Sequence, residues 1–331
     1  MIHSLSRRAF LKTATVAAIA TTLPLTLQAT TRAQTPATAT RNATFYRFKL
    51  GTFQLITFSD GILNAPAAAF AGNVTPEQLQ AVLRQGYQSE MLTPDCNILY
   101  VDTGSNKVLI DSGSGILNGE TVGKLVSNLA LAGLSPADID TLIITHAHGD
   151  HIGGLTDASG KLVFPNARYH ISNTEWSFWT APTVNLPNFK GGEELKQGFV
   201  TVAKQQLGAV KDRVTRFEMN QEIIPGITAI ATPGHTPGHV ALKITSGDAS
   251  IIHVADVVHT HTINLWNPSW QPIFDADPEQ AAATRQSFLT QIAGDRALMF
   301  AYHFPFPGIG HLIPRAAGGF DWEPVQWQFE V

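Results

Sequence analysis

From residue 45 onward the hydrophobic positions fall into short β-type runs separated by longer stretches with helical spacing. The runs are "FQLITFSDG", "NILYVDTGSNKVLIDSG", "TLIITHAHGDH", "ITAIATPGH", "VALKITSGDASIIHVADVV" and "ALMFAYHF". Those joined by "TGSNK" and "TSGDAS" read as hairpins and predict much antiparallel sheet, while "TLIIT" is apolar throughout and reads as a buried strand. Helix signals stand between the runs. Thr75 with Pro76 opens "PEQLQAVLRQ", Gly133 stops a helix running from about Glu120, and Asp277 with Pro278 opens "PEQAAATRQSFLTQIA", which ends at Gly294. Further helices are expected at 173–180 and 192–207, and the final "FDWEPVQWQFEV" reads as a strand. With no internal repeat, residues 45–331 read as one mixed α/β domain behind a polar, Ala/Thr-rich flexible leader at 34–44.

Residues 1–33 break this pattern. "SRRAFLK" precedes an uncharged apolar run from Ala14 to Leu27, with Ala29 and Ala33 as small residues suited to cleavage. A basic segment, an apolar segment and a processing site read as a signal peptide, and the Arg7–Arg8 pair points to twin-arginine export into the periplasm or the medium. The run is too short to span a bilayer comfortably, so no stable membrane association is expected after processing. Removal takes four basic residues and no acidic one, leaving 18 basic against 26 acidic side chains, a formal charge of −8. Such an acidic domain is a poor nucleic-acid binder. Cys96 is the only cysteine, which excludes an intramolecular disulfide and a thiolate metal cluster and reads as a small core residue.

The chemistry is concentrated in "THAHGDHIGG" at 145–154. His146, His148 and Asp150 follow a buried strand with alternate spacing, and an extended backbone points alternate side chains the same way. Gly149, Gly153 and Gly154 let the loop turn so that Asp150 and His151 can face a neighbouring ion. Crowding three imidazoles and a carboxylate costs desolvation and charge repulsion that a cation readily offsets. Three more strand ends offer a donor each: His235 in "ATPGHTPGH", Asp256 in "IIHVADVV" and His303 in "LMFAYHFPFPGIGH". Two ions so held could carry a bridging hydroxide. His170, His239, His253, His259, His261 and His311 read as ordinary core or surface histidines, with His311 near enough to stand behind the site.

The set "THAHGDH…GH…AD…H" resembles the metallo-β-lactamase superfamily of αββα sandwich hydrolases over roughly residues 45–331. "FPNA" at 164–167, "FWT" at 178–180, "GHTPGH" at 234–239 and "FPGIGH" at 306–311 are similar to its methyl parathion hydrolase and lactonase group. The resemblance implies a dinuclear metal site at one edge of the two sheets. It implies that His146, His148 and His235 hold one metal, that Asp150, His151 and His303 hold the other, and that Asp256 bridges them, with Asp150 and Asp256 taking part in catalysis. Two divalent ions per chain are expected, zinc first, with manganese, iron or cobalt as alternatives. A metal-bridged hydroxide would then attack an ester-type bond.

For the substrate, a small-molecule lactone or aryl ester is favoured over a phosphotriester of the methyl parathion type. The resemblance places Trp179 and Phe199 at an apolar pocket and puts Asn118 where that group has an aromatic residue, so one aromatic face is missing. β-Lactams are disfavoured by Asp256 at the bridging position, and glutathione thioesters by the strand-like C-terminus. A redox di-iron centre would need a partner domain. A non-catalytic metal-binding envelope protein is the alternative of a different class, and a homodimer is left open.

Overall fold

Two seven-stranded sheets account for the apolar runs, and in each the spatial order follows the order along the chain. The computed structural model describes residues 42–328, so the expected signal peptide and most of the leader lie outside the described residues. The first sheet takes β1 (Phe45–Leu50), β2 (Phe53–Ile62), β3 (Asp95–Asp102), β4 (Lys107–Ile110), β5 (Thr141–Ile144), β6 (Arg168–Ser172) and β7 (Val214–Phe217). It is antiparallel from β1 to β4 and parallel from β4 to β7. The second takes β8 (Glu222–Ile224), β9 (Ile227–Ala231), β10 (Val240–Ser246), β11 (Ala249–His253), β12 (Leu298–Phe300), β13 (Ile309–Pro314) and β14 (Phe320–Pro324). Its parallel pair is β11–β12.

Helices follow from the caps. α1 (Pro76–Gln85) has a capping box between Thr75 and Gln78. α2 (Leu125–Leu131) crosses from β4 to β5, and the one-turn α3 (Gly149–Ile152) follows β5. α4 (Asn173–Trp179) and α5 (Gly192–Val210) cross from β6 to β7. After the short α6 (Ile263–Trp266), α7 (Pro278–Gly294), capped by Asp277, makes the β11–β12 crossover that a parallel pair requires.

Side-chain alternation sorts the strands into layers. Leu99, Val101, Val108, Ile110 and Ile143 turn inward and meet Ile227, Leu242, Ile244 and Ile251 of the second sheet. Ile98, Tyr100, Leu109, Leu142 and Ile144 turn outward onto α2 and α5, through Leu125, Leu129, Leu207 and Val210. Phe288, Leu289 and Ile292 of α7 cover Ile252 and Met299 on the far face. The result is the expected αββα sandwich, and "TLIIT" is apolar throughout because β5 is buried on both faces.

One helix boundary differs from expectation. The helix predicted from about Glu120 starts at Leu125, because Asn118, Gly119 and Gly123 adopt left-handed backbone with φ of 61°, 95° and 74°. This stretch is organised by Asp60 at the end of β2, whose buried carboxylate accepts from the backbone N–H of Ser114 (2.8 Å), Gly123 (3.1 Å) and Leu125 (2.8 Å). Burial pushes the Asp60 carboxyl up to about 6, against the pull of those donors.

Candidate metal centre

The ends of β5, β9, β11 and β12 meet at one edge of the sandwich, and the seven expected donors meet there with them. Donor atoms of His146, His148 and His235 lie within 4.8 Å of one another, and so do those of Asp150, His151, Asp256 and His303. Asp256 stands between the groups. Its Oδ2 is 3.3 Å from His235 Nε2 and 3.4 Å from His303 Nε2, while its Oδ1 is 3.1 Å from His151 Nε2. Asp150 Oδ2 lies 3.3 Å from His303 Nε2.

These residues fit divalent cations on their own chemistry. His148 Nδ1 and His146 Nε2 approach His235 Nε2 at 2.8 and 3.2 Å, three buried ring nitrogens converging on one point. Hydrogen bonding alone cannot satisfy that convergence, because a neutral imidazole has one donor and one acceptor nitrogen. His151 Nε2 and Asp256 Oδ1 are buried and make no hydrogen bond. Charges tell the same story. Burial, then the charge on neighbouring imidazoles, drives His146 and His148 well below the ordinary histidine range. Burial would depress His151 too, but the carboxylates of Asp256, Asp150 and Asp111 hold it up to about 10. Without a metal, protons on such histidines take the place of the cation that the carboxylates call for.

Partners behind them fix three of the five rings. His151 Nδ1 is 2.8 Å from Asp111 Oδ2, and Asp111 also accepts from the Thr145 N–H and hydroxyl. His235 Nδ1 is 2.7 Å from Asp275 Oδ1, and His303 Nδ1 donates to the Asp95 carbonyl at 2.8 Å. These partners select Nε2 as the atom facing the site, the usual arrangement behind a metal-binding histidine. Tyr302 stacks on the His151 ring and donates to the Asp150 carbonyl at 2.7 Å.

Glu175 of α4 ties the two histidine loops together. Its fully buried carboxylate accepts from Ala147 N (2.9 Å) and Trp179 Nε1 (2.7 Å) on one oxygen, and from Thr236 Oγ1 (2.7 Å) and Gly238 N (2.9 Å) on the other. Burial pushes its pKa up, and these four donors pull the other way. A Cβ on Gly238 would meet Glu175 N at 2.1 Å, and one on Gly234 would meet Ala281 N of α7 at 2.3 Å, so both glycines of "GHTPGH" are contact requirements. The second histidine of that motif, His239, accepts from the Asp256 N–H at 3.1 Å and helps hold a turn in which Ala255 has φ of 46°.

Above the donors opens a cavity of about 400 Å³ lined by Leu63, Ala65, Phe70, Leu195, Phe199 and Phe274 as well as Asn118, with no lysine or arginine among the described residues of its wall. Phe199 lies over His148, with ring centroids 4.2 Å apart. Trp179 does not line this cavity: it is fully buried beneath His148, with its N–H spent on Glu175. His311 is also corrected, being exposed and directed at the Ala297 carbonyl. Asn118 does reach the cavity, with a φ that asparagine tolerates better than an aromatic residue would. Phe70 and Phe274 also line the cavity and pack edge to face at 5.3 Å. His259, read as an ordinary histidine, is buried at the cavity wall with Nε2 3.2 Å from Asp256 Oδ2. Its signal was spacing, three residues past a strand-end aspartate. Glu175, inside a helix, and Phe70, in an alanine-rich turn, carried none.

Comparison with known proteins agrees with this geometry. AidC, a dizinc quorum-quenching lactonase whose structure holds a product, is 33% identical with a TM-score of 0.81, covering 86% of this chain and 98% of that one. The hydrolase AbOPH is 30% identical with a TM-score of 0.79, covering 87% of this chain and 100% of that one. An N-acyl homoserine lactonase of Bacillus thuringiensis is 24% identical over 217 residues, 62% of this chain and 76% of the relative. The probable metallo-hydrolase Mb2322c of Mycobacterium bovis is 23% identical over 189 residues, a match spanning 57% of that protein. The profile of the metallo-beta-lactamase superfamily matches residues 93–303, more than half of the chain, and the chain belongs to that superfamily.

Proposed function

We propose that the chain hydrolyses uncharged ester-type bonds, lactones or aryl esters, at two divalent ions held by His146, His148 and His235 and by Asp150, His151 and His303, with Asp256 shared. The observation that carries this reading is the cavity: apolar on several sides, open to the donors and lined, among the described residues, by no lysine or arginine. A substrate with a carboxylate or phosphate tail would lose its hydration there and find no partner. The lactonase relatives at 24% and 33% identity support the choice of a lactone.

When bound, the ions supply an activated water near neutral pH and charge stabilisation for the oxygen that gains charge. The chain's residues supply the rest. Asp256 places negative charge between the two donor groups and so reduces cation repulsion. Asp150, whose side chain is 16% exposed against at most 5% for the other six residues, presents its carboxylate to the cavity. Phe199 over His148 and Phe274 over His235 and His259 keep bulk water off the imidazoles. The aromatic pair Phe70–Phe274 together with Phe199 favours an aryl phosphotriester as a second substrate.

The proposal extends to zinc as the metal and to export by the twin-arginine route, supported by Arg7 and Arg8 ahead of the short apolar run. Replacing both with lysine should leave precursor in the cytoplasm. A hydrolysis panel on metal-loaded protein tests the substrate reading: neutral lactones and aryl esters should be turned over best, phosphotriesters less, and anionic β-lactams or acyl thioesters hardly at all. Preference for an anionic substrate would overturn it.

A further inference from the structure

Arg285 is among the largest fully buried side chains described, and it lies on the face of α7 that otherwise presents Ala281, Phe288, Leu289 and Ile292 to the core. An apolar residue would fill that position at less desolvation cost, so the guanidinium needs a reason to be there. Four of its five N–H donors are directed at named acceptors. Nε donates to the Val257 carbonyl at 2.7 Å, Nη1 to the carbonyls of Pro268 (2.9 Å) and Trp270 (2.8 Å), and Nη2 to Asp275 Oδ2 at 3.3 Å. The other oxygen of Asp275 is the one at 2.7 Å from His235 Nδ1.

Those acceptors share a location. Residues 257–275 contain one helical turn, α6, and otherwise run without regular structure from the Asp256 turn to the start of α7. The same segment brings His259 and Phe274 to the cavity wall. One fork of nitrogens therefore reaches both an imidazole of the metal centre, through Asp275, and the wall that faces the substrate. α7 also abuts the His235 loop, since its Thr284 donates to the Pro233 carbonyl, and just before the helix Ala276 N donates to the His235 carbonyl.

We propose that Arg285 is a positioning residue for the reaction: through Asp275 it fixes the His235 ring with Nε2 toward the ion, and through the three carbonyls it holds His259 and Phe274 against the substrate. The proposal rests on the donor assignment above and is independent of which ester is cleaved. Lysine, a point charge with three donors, cannot span these acceptors as the planar guanidinium does.

The test uses purified chain carrying Arg285→Met, Arg285→Lys, Asp275→Asn or the pair Arg285→Met with Asp275→Asn, with His235→Ala as control. Zinc affinity is read by chelator competition, the cobalt-substituted absorption spectrum reports the ligand field, and KM and kcat are measured separately. Arg285→Met and Asp275→Asn should each weaken one zinc by about 10–100-fold and shift the cobalt spectrum. The pair should lose little beyond either single variant, because the effect runs through one residue. Arg285→Met alone should also raise KM, since it frees the cavity wall. Should Arg285→Met fail to fold, Arg285→Lys and the near-isosteric Asp275→Asn carry the same comparison. Folded Arg285 variants with wild-type zinc affinity and cobalt spectrum, whatever their melting temperature, would show a purely structural arginine and overturn the proposal. If His235→Ala also keeps full zinc affinity, the donor assignment falls and this inference with it.

Discussion

His146, His148 and His235 offer three imidazoles, whereas Asp150, His151, His303 and the shared Asp256 offer two carboxylates and two imidazoles. The supports behind them differ as well. The three-imidazole group is steadied by Glu175 through backbone N–H groups and by Asp275 on one ring, and the mixed group by Asp111, Tyr302 and the loop that Asp60 pins. Nitrogen-only donors suit zinc, while added carboxylate oxygens widen the choice toward manganese or iron. The two positions should therefore separate in metal preference and in order of loss, even though they share one aspartate.

The largest effect should come from removing what they share. Asp256→Ala is expected to lower kcat/KM by at least about 100-fold, since charge placed at the reacting centre is worth that much elsewhere, and elemental analysis should show fewer than two ions. Activity within tenfold of wild type would mean that Asp256 is not shared. Glu175→Ala addresses the three-imidazole side alone. It leaves four buried donors unpaired and should cost about 3–5 kcal/mol, as when one partner of a buried charged network is removed. Thermal unfolding measures this, and chelator titration should now strip the three-imidazole ion first.

Asp60 probes the mixed side through pH. Burial pushes its folded carboxyl up to about 6 from the ordinary aspartate 3.8, so between those values the folded state holds more protons than the unfolded one. Stability therefore falls as pH rises through that window, by up to about 3 kcal/mol at 1.36 kcal/mol per unit. Asp60→Asn should remove this slope in denaturant titrations at pH 4 and 6.5, and an unchanged slope would place the titration elsewhere. The smallest effect belongs to the cavity over the three-imidazole group: Phe199→Ala should raise KM by a few-fold, about 1 kcal/mol of lost ring contact, with metal content unchanged.

What the sequence disclosed follows the same division. Strands, caps and the candidate donors were legible because each depends on local pattern: alternation for β3 and β4, Asp277 with Pro278 for α7, and strand-end histidines and aspartates for the site. The supports were not legible, because Glu175, Asp275 and Arg285 matter chiefly through partners 10–63 residues away. Trp179 was misplaced for a related reason. The resemblance put it at the apolar pocket with Phe199, and packing shows that it lies buried beneath the His148 ring while Phe199 lies at the cavity. Asn118 does line the cavity, and Phe70 and Phe274, which no sequence pattern pointed to, line it as well.

Each sheet is assembled from strands in consecutive chain order, so pairing within a half asks for comparatively little loop closure. The donor set divides along the same line, with His146, His148, Asp150 and His151 following a strand of the first sheet and His235, Asp256 and His303 following strands of the second. Neither half can complete either donor group alone. Metal capture in a refolding experiment should thus act as a clock for the docking of the two sheets, registering the joining of the halves and not their separate formation.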